Sequence, residues 1–250
     1  MRLIRKREVR KPHRWYLDIE SVEERERQRE HFASGLCSYK LFWIFLLSGA
    51  FGVFIETIFW FIRTGQLESR STFVWAPLNM VYAAGGVLMT VILYHVRKYP
   101  FPVIFLVGMA IGCFVEYVSS LIQESVFSSV SWHYSDMMDI HGRTNLKYAF
   151  FWGILALFWL GVMYPTMSAA LLKIPRKAGR VLTVVLLVYM AINIGVTFFA
   201  VRRWAARQSH AEPVFAIHQW MDRWFPDDFM ERLFPNLRFV DMEHKDPFPG

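Results

Sequence analysis

Five long apolar stretches, separated by short polar connections, dominate this chain of 250 residues. Each stretch is close to the roughly 20 residues that a helix needs to cross about 30 Å of hydrocarbon. The pattern therefore predicts an all-α membrane protein with about five transmembrane helices, and the lipid bilayer is its predicted partner. The predicted spans are residues 41–62, 73–96, 101–122, 148–172 and 181–201.

The segments outside the spans differ in character. Residues 1–40 form a basic and charged arm, residues 41–202 form the transmembrane domain, and residues 203–250 form an amphipathic tail. The tail alternates aromatic and charged residues and is broken by Pro226 and Pro235. This pattern predicts two short amphipathic helices that lie on the membrane surface.

The start of the second span is unusual because Trp75, Pro77 and Asn79 occur together there. Proline cannot donate a backbone hydrogen bond, and the asparagine amide can satisfy backbone groups that a break leaves free. The sequence therefore allows a broken or re-entrant start to the second helix.

Composition and charge agree with a membrane protein and argue against nucleic-acid binding. The chain is 54% hydrophobic and carries a net charge of +7. Its most basic segment, residues 2–14, adjoins the first span, where each cation gains about 1 kcal/mol from anionic lipid. We therefore interpret the charge as anchoring to the membrane surface, and no nucleic-acid partner is predicted.

Orientation follows from the distribution of Lys and Arg. The arm and the even-numbered connections contain 17 of these residues, whereas the odd-numbered connections contain four. The positive-inside rule then predicts a cytoplasmic N-terminus, and the predicted location is the plasma (cytoplasmic) membrane, which the chain crosses several times. Five spans would place the tail outside, yet the tail opens with Arg202, Arg203 and Arg207, which favour the inside. The side of the tail stays open at this point.

Two glutamates lie at matching positions within predicted spans. Glu56 and Glu116 are each the sixteenth residue of a span, about 9 Å from its outer end, in the similar sequences GVFIE and GCFVE. Each continues a face of small residues at i, i+4 spacing, so both should point into the helix bundle. Ionisable groups at such depth are costly and usually mark a partner or a water-filled cavity.

The connection WHYSDMMDIHGRTNL, residues 132–146, is crowded with polar residues. Its Arg143, together with Arg70 from the first connection, could supply counter-charges for the two acids. The spacing of its histidines and aspartates matches no defined metal motif, so no metal is predicted. The predicted substrate-binding residues are Glu56, Arg70, Glu116, Ser120, Glu124, Trp132, Tyr134, Asp136, Asp139 and Arg143.

These residues also carry a resemblance to a known family. By the order and spacing of these residues, the chain resembles the CmpB-like group of small bacterial membrane proteins described as "Putative ABC-transporter type IV" permeases. The residues that carry the resemblance are Glu56-Thr57, Arg70, Pro77, Tyr82, Gly85, Glu116-Tyr117, Ser120, Glu124, Trp132, residues 134–136 and Gly142-Arg143. The resemblance covers about residues 40–160, and residues 225–239 look like the family's ending. It implies transport of a solute and a separate ATPase subunit as a partner.

Three functional hypotheses follow. The first is a permease-like component that binds or passes a small polar solute at an outer-leaflet site of acids and arginines. The second is a membrane-embedded enzyme that uses Glu56 and Glu116 as an acid/base pair on a lipid-linked substrate. The third is a structural or sensory partner protein whose charges only hold helices together. Since the sequence contains no P-loop, G-x-S-x-G or H-E-x-x-H motif, no catalytic residue and no cofactor is predicted.

Overall fold

A computed structural model describes residues 22–24, 32–135 and 138–240, and over these ranges the chain is a helical bundle. Four helical stretches are long and apolar enough to cross a membrane, and a fifth apolar helix is shorter. The helices of the bundle are α1 (Ser38–Thr64), α2 (Met80–Val96), α3 (Phe101–Phe127), α4 (Leu146–Phe158), α5 (Tyr164–Leu171) and α6 (Arg176–Gln208). The all-α membrane class predicted from the hydrophobic pattern is confirmed.

Helices α4 and α5 form one spanning unit that is interrupted by a π-helical turn, Trp159–Met163. Pro165 is the second residue after this turn. Proline lacks the amide for the bond to the preceding turn, and a π-turn accommodates such an interruption. Trp159 is tied to α2 by a hydrogen bond from its indole nitrogen to Thr90 Oγ1, 3.1 Å long.

Small residues bring neighbouring helices close together. A Cβ atom at Gly52 would lie 2.4 Å from Tyr82 of α2, and one at Gly112 would lie 2.0 Å from Trp152 of α4. There is thus no space for a side chain at either glycine. Close approach through small residues is the usual packing of membrane helices, and here it places α1 against α2 and α3 against α4.

Helix α2 begins at Met80, seven residues later than the predicted span 73–96. The residue before a proline avoids the helical conformation, and Pro77 itself has no amide to donate. Asn79 then caps the helix, because its side chain accepts hydrogen bonds from the amides of Val81 and Tyr82. The predicted start was therefore too early, because Pro77 and Asn79 delay the first helical turn.

Residues 71–79, which we call the re-entrant segment, fold into the bundle. The Asn79 amide donates to the carbonyl of Gly49, the twelfth residue of the 27-residue helix α1. On the other side, the Val74 and Trp75 amides donate to Thr197 Oγ1 and Asn193 Oδ1 of α6. These side chains replace the bonds that water would make, and irregular backbone is tolerated at membrane depth only where protein buries it in this way.

The bundle has two distinct ends. At one, which we call the arm end, α1 and α3 begin, and Glu23 of the arm forms an ion pair with Arg97 after α2, with 2.8 Å between Oε1 and Nε. At the other, the loop end, α1 and α3 finish. A two-stranded sheet there pairs β1 (Ser129–Val130) with β4 (Arg238–Phe239), and β2 (Asp139–Ile140) pairs with β3 (Thr144–Asn145).

The tail packs on the loop end through helices α7 (Ala216–Trp224) and α8 (Asp227–Leu233) and strand β4. The three arginines that favoured the opposite side are engaged within the protein. Arg202 donates to the Val126 carbonyl, and both Arg203 and Arg207 donate to Asp222. Arg203 and Arg207 are thus paired with an acid inside the fold, whereas Arg202 is exposed and its bond is to a neutral carbonyl.

Candidate functional site

Glu116 is a buried acid of the bundle, since only 7% of its surface is exposed. Thr144 Oγ1 donates to its Oε2 at 2.8 Å, and Trp152 Nε1 donates to its Oε1 at 3.0 Å. Thr144 ends the connection before α4, and Trp152 lies on α4 against the flat surface left by Gly112. Both donors are neutral, so these contacts orient the carboxyl group without cancelling a charge.

Glu56 approaches the same place from α1. It is half-buried, and the Tyr82 hydroxyl hydrogen bonds to its carboxyl group. Glu56 also lies within electrostatic range of Glu116. The reason is the packing one turn below, where the Tyr82 ring rests on Gly52 and so holds α1 next to α2. The two acids lie in the halves of α1 and α3 nearer the loop end.

Aromatic side chains complete this group. The rings of Tyr134 and Tyr148 are stacked with centroids 4.7 Å apart, and those of Tyr82 and Trp152 are 5.9 Å apart. Burial raises the pKa of the Tyr134 hydroxyl well above its usual value, and the negative charge of Glu116 adds to this effect. We call the whole group the acid–tyrosine cluster. Its members are Glu56, Tyr82, Glu116, Tyr134, Tyr148 and Trp152.

Arg70 borders the cluster and acts electrostatically on Glu56. Its Nη2 pairs with Glu68 Oε2 at 3.1 Å, and its guanidinium lies over the Trp60 ring, 4.2 Å from the centroid. The Asn79 side chain donates from Nδ2 to the Arg70 carbonyl at 3.4 Å. The first connection therefore delivers a buried cation beside Glu56 because the re-entrant segment holds it there.

Arg143 is engaged elsewhere. Its Nη2 forms an ion pair with Glu124 at 2.6 Å, and its Nη1 donates to Ser120 Oγ at 3.0 Å. Glu124 is eight residues, about two turns, beyond Glu116 on α3. We expected Arg143 to be a counter-charge for Glu56 and Glu116. It instead forms a separate ion pair with Glu124, nearer the surface.

Other predicted site residues hold the connection together. Trp132 Nε1 donates to the Arg143 carbonyl at 2.9 Å, and the Gly142 amide donates to Asp139 Oδ1 at 2.7 Å. Gly142 has a φ of 67°, and a Cβ atom there would lie 2.2 Å from the His133 ring. These contacts fix the turn that carries Tyr134. Asp136 lies outside the described residues.

Sequence reasoning on the site did not include Tyr82, Thr144, Tyr148 or Trp152. Each contributes a neutral ring or hydroxyl, and such residues are common in membrane helices without any binding role. Tyr82 did occur among the residues that carry the family resemblance. For Trp152 the available signal was indirect, since a face of glycines on α3 requires a large side chain opposite.

A family model described as "Putative ABC-transporter type IV" matches residues 43–198, well over half of the sequence. This range includes all members of the acid–tyrosine cluster. No curated protein and no solved structure matches the chain.

Proposed function

Since the chain belongs to the family described as "Putative ABC-transporter type IV", we propose that it is a permease-like membrane component that binds or passes a small polar solute. The proposed contact site is the acid–tyrosine cluster, with Arg70 at its border. The Arg143, Glu124 and Ser120 group lies closer to the surface of the loop end and forms the proposed entrance, with Trp132 and Asp139 shaping the turn above it.

The observation that carries this proposal is the approach of two carboxyl groups from different spanning helices. Each ionisable group inside a bilayer costs roughly 2.5 to 3.5 kcal/mol on insertion scales. The contacts of Glu116 with Thr144 and Trp152 do not supply an opposite charge. A polar solute beside the half-buried Glu56 would supply a further partner for the two acids.

A partner ATPase would bind at the arm end, in keeping with the predicted cytoplasmic N-terminus in a bacterial plasma membrane. The connections there are short, because α2 and α3 are separated by four residues, as are α5 and α6. The ion pair of Glu23 with Arg97 joins the arm to the first of these connections. We therefore propose that the arm and this connection form the docking surface together.

The proposal is tested by solute binding to the purified full-length chain in lipid nanodiscs. A panel of amino acids, polyamines and monosaccharides is screened by thermal shift, and hits are titrated against Glu56→Gln and Glu116→Gln. We expect each variant to weaken binding about tenfold or more, because an ionic hydrogen bond contributes roughly 1.5 to 3 kcal/mol. Glu231→Gln, an exposed glutamate on α8, is the matched control and should bind as wild type does.

A structural role is the second candidate, and one observation favours it. Both oxygens of Glu116 already accept hydrogen bonds, from the connection and from α4, so the residue could serve only to join these elements. In that case Glu116→Gln would lower the unfolding temperature and no solute of the panel would distinguish Glu56→Gln from wild type. That result would remove the solute site.

A further inference from the structure

Two buried nitrogen donors beside the acid–tyrosine cluster lack an acceptor among the described residues. They are Nε of Arg70 and Nε1 of Trp60. The Arg70 side chain is only 6% exposed, so water does not reach this donor freely. A buried donor without a partner costs roughly 1 to 3 kcal/mol, and a native structure keeps one where a ligand or ordered water completes it.

The two donors belong to one place. The guanidinium of Arg70 stacks on the Trp60 ring with 4.2 Å to the centroid. Trp60 is four residues after Glu56 on α1, so the two side chains lie on the same face of that helix, one turn apart. Arg70 also interacts electrostatically with Glu56. The two donors therefore lie next to the acids.

The charge at this place is negative in sum. When all groups are ionised, Glu56, Glu116 and Glu68 contribute three negative charges and Arg70 contributes one positive charge. One arginine cannot balance three carboxylates, so two negative charges remain when all groups are ionised. A cation between them would also meet the rings of Tyr82 and Tyr134, whose faces attract positive charge.

We propose that the ligand of this site is a small zwitterion. Its ammonium group binds Glu56 and Glu116, and its carboxylate or phosphate oxygen accepts hydrogen bonds from Arg70 Nε and Trp60 Nε1. This assignment rests on the proposed solute site and names the chemical class of that solute. The same chemistry occurs in free amino-acid-like molecules and in the headgroup of phosphatidylethanolamine, and the test separates these sources.

The test uses the full-length chain in nanodiscs of phosphatidylglycerol, which has no amine. O-phosphoethanolamine is titrated by calorimetry beside its two halves, ethylamine and ethyl phosphate. We expect the zwitterion to bind at least about tenfold more tightly than either half, which corresponds to about 1.4 kcal/mol. If nanodiscs that contain phosphatidylethanolamine abolish this binding, the source is the lipid headgroup; if binding persists, the source is a free solute.

Variants assign each pole of the ligand. Trp60→Phe keeps the ring under Arg70 but removes Nε1, so it should weaken O-phosphoethanolamine several-fold and leave ethylamine unchanged. Glu56→Gln should weaken both. Arg232→Gln, on the exposed side of α8, is the control for loss of a guanidinium and should match wild type.

Two results overturn the assignment, and they differ in what else they overturn. If ethylamine binds as tightly as O-phosphoethanolamine and is lost in Glu56→Gln, the zwitterion class is wrong while the solute site stands. If Glu56→Gln binds all three probes as wild type does, or if wild type binds none, the zwitterion assignment also falls. If Glu56→Gln and Glu116→Gln also bind every solute of the wider panel as wild type does, the solute site itself is ruled out.

Discussion

Two arginine side chains at the end of α6 show how single residues decide where the tail packs. Arg203 contacts Asp222 through Nε at 2.8 Å and Nη2 at 2.9 Å, and Arg207 Nη1 lies 2.5 Å from the same carboxylate. Arg207 Nε also pairs with Asp227 at 2.6 Å. Such charge-assisted, forked contacts are the strong class of side-chain hydrogen bonds. They connect the last turns of α6 to both helices of the tail.

The pH dependence of tail docking follows from Asp222. Partial burial alone would raise its pKa, but the hydrogen bonds and charges of Arg203 and Arg207 outweigh burial and lower the pKa below its usual value. A carboxyl group with a lowered folded-state pKa stabilises the fold above its unfolded value of about 4. This contribution is lost as the pH falls through the folded-state pKa.

We therefore expect Asp222→Asn to destabilise tail docking at pH 7 by about 1 to 3 kcal/mol. The difference from wild type should begin to shrink as the pH falls below about 4, where the carboxyl group is protonated in the unfolded chain, and should be lost below the folded-state pKa. Thermal unfolding from pH 7 to pH 3 measures this change. Asp228→Asn, an exposed neighbour on α8, is the control. An unchanged gap between wild type and Asp222→Asn at pH 3 would contradict the assignment.

At the scale of elements, glycine positions decide which helices meet. On α3, Gly108 faces Ala156 and Gly112 faces Trp152, and a Cβ atom at either position would lie within 2.2 Å of the opposing side chain. Gly112 has a second role, because it allows Trp152 to reach Glu116 one turn away. The same contact therefore sets both the helix spacing and the orientation of the acid.

Gly112→Ala should lower the unfolding stability by about 1 to 3 kcal/mol or more, because the added methyl group overlaps the Cβ and Cγ atoms of Trp152. Gly195→Ala on α6 is the matched control, since a Cβ atom there meets nothing within 4 Å among the described residues. Alanine is the better helix former by about 1 kcal/mol, so this control should be neutral or stabilising. Unfolding in detergent, followed by circular dichroism, compares the two. Equal stability of both variants would show that α3 and α4 are not in close contact.

At the scale of the whole molecule, the tail lies at the end of the bundle where the polar connection lies. Strand β4 pairs with β1 just after α3, and the Val240 amide donates to the Ser128 carbonyl at 2.8 Å. The side chains of Trp204, Met221 and Phe225 bury the interface between α6 and the tail. The part of the arm that the structure describes and the tail therefore lie at opposite ends of the bundle.

Single-cysteine labelling tests this arrangement in a background with Cys37→Ser and Cys113→Ala. Lys147→Cys lies at the loop end, Glu231→Cys lies on the tail, and Lys173→Cys lies at the arm end; all three native side chains are exposed. A membrane-impermeant maleimide should label the first two from the same side of the membrane and the third from the other. Labelling of Glu231→Cys together with Lys173→Cys would place the tail at the arm end and contradict the structure.

Much of the candidate site could be inferred from local pattern. The depth and inward direction of Glu56 and Glu116 follow from helix periodicity and from the small residues one and two turns before them, because a helix fixes which of its own residues share a face. The partners of these acids could not be inferred in the same way. Thr144, Tyr82 and Trp152 come from other elements, and no periodicity along α1 or α3 encodes them.

The sequence by itself determined the class of protein, the approximate spans and the acids within them, since the thickness of the bilayer and the period of the helix act on each segment separately. Only the tertiary structure decided how the re-entrant segment is buried, the pairing of Arg143 with Glu124 and the end of the bundle at which the tail packs. Each of these depends on contacts between residues that are distant in the chain, such as Trp75 with Asn193 and Arg203 with Asp222. A hydrogen-bond or ion-pair partner lowers the free-energy cost of burying a polar group, whichever part of the chain supplies that partner. The partner is therefore determined only when the helices pack.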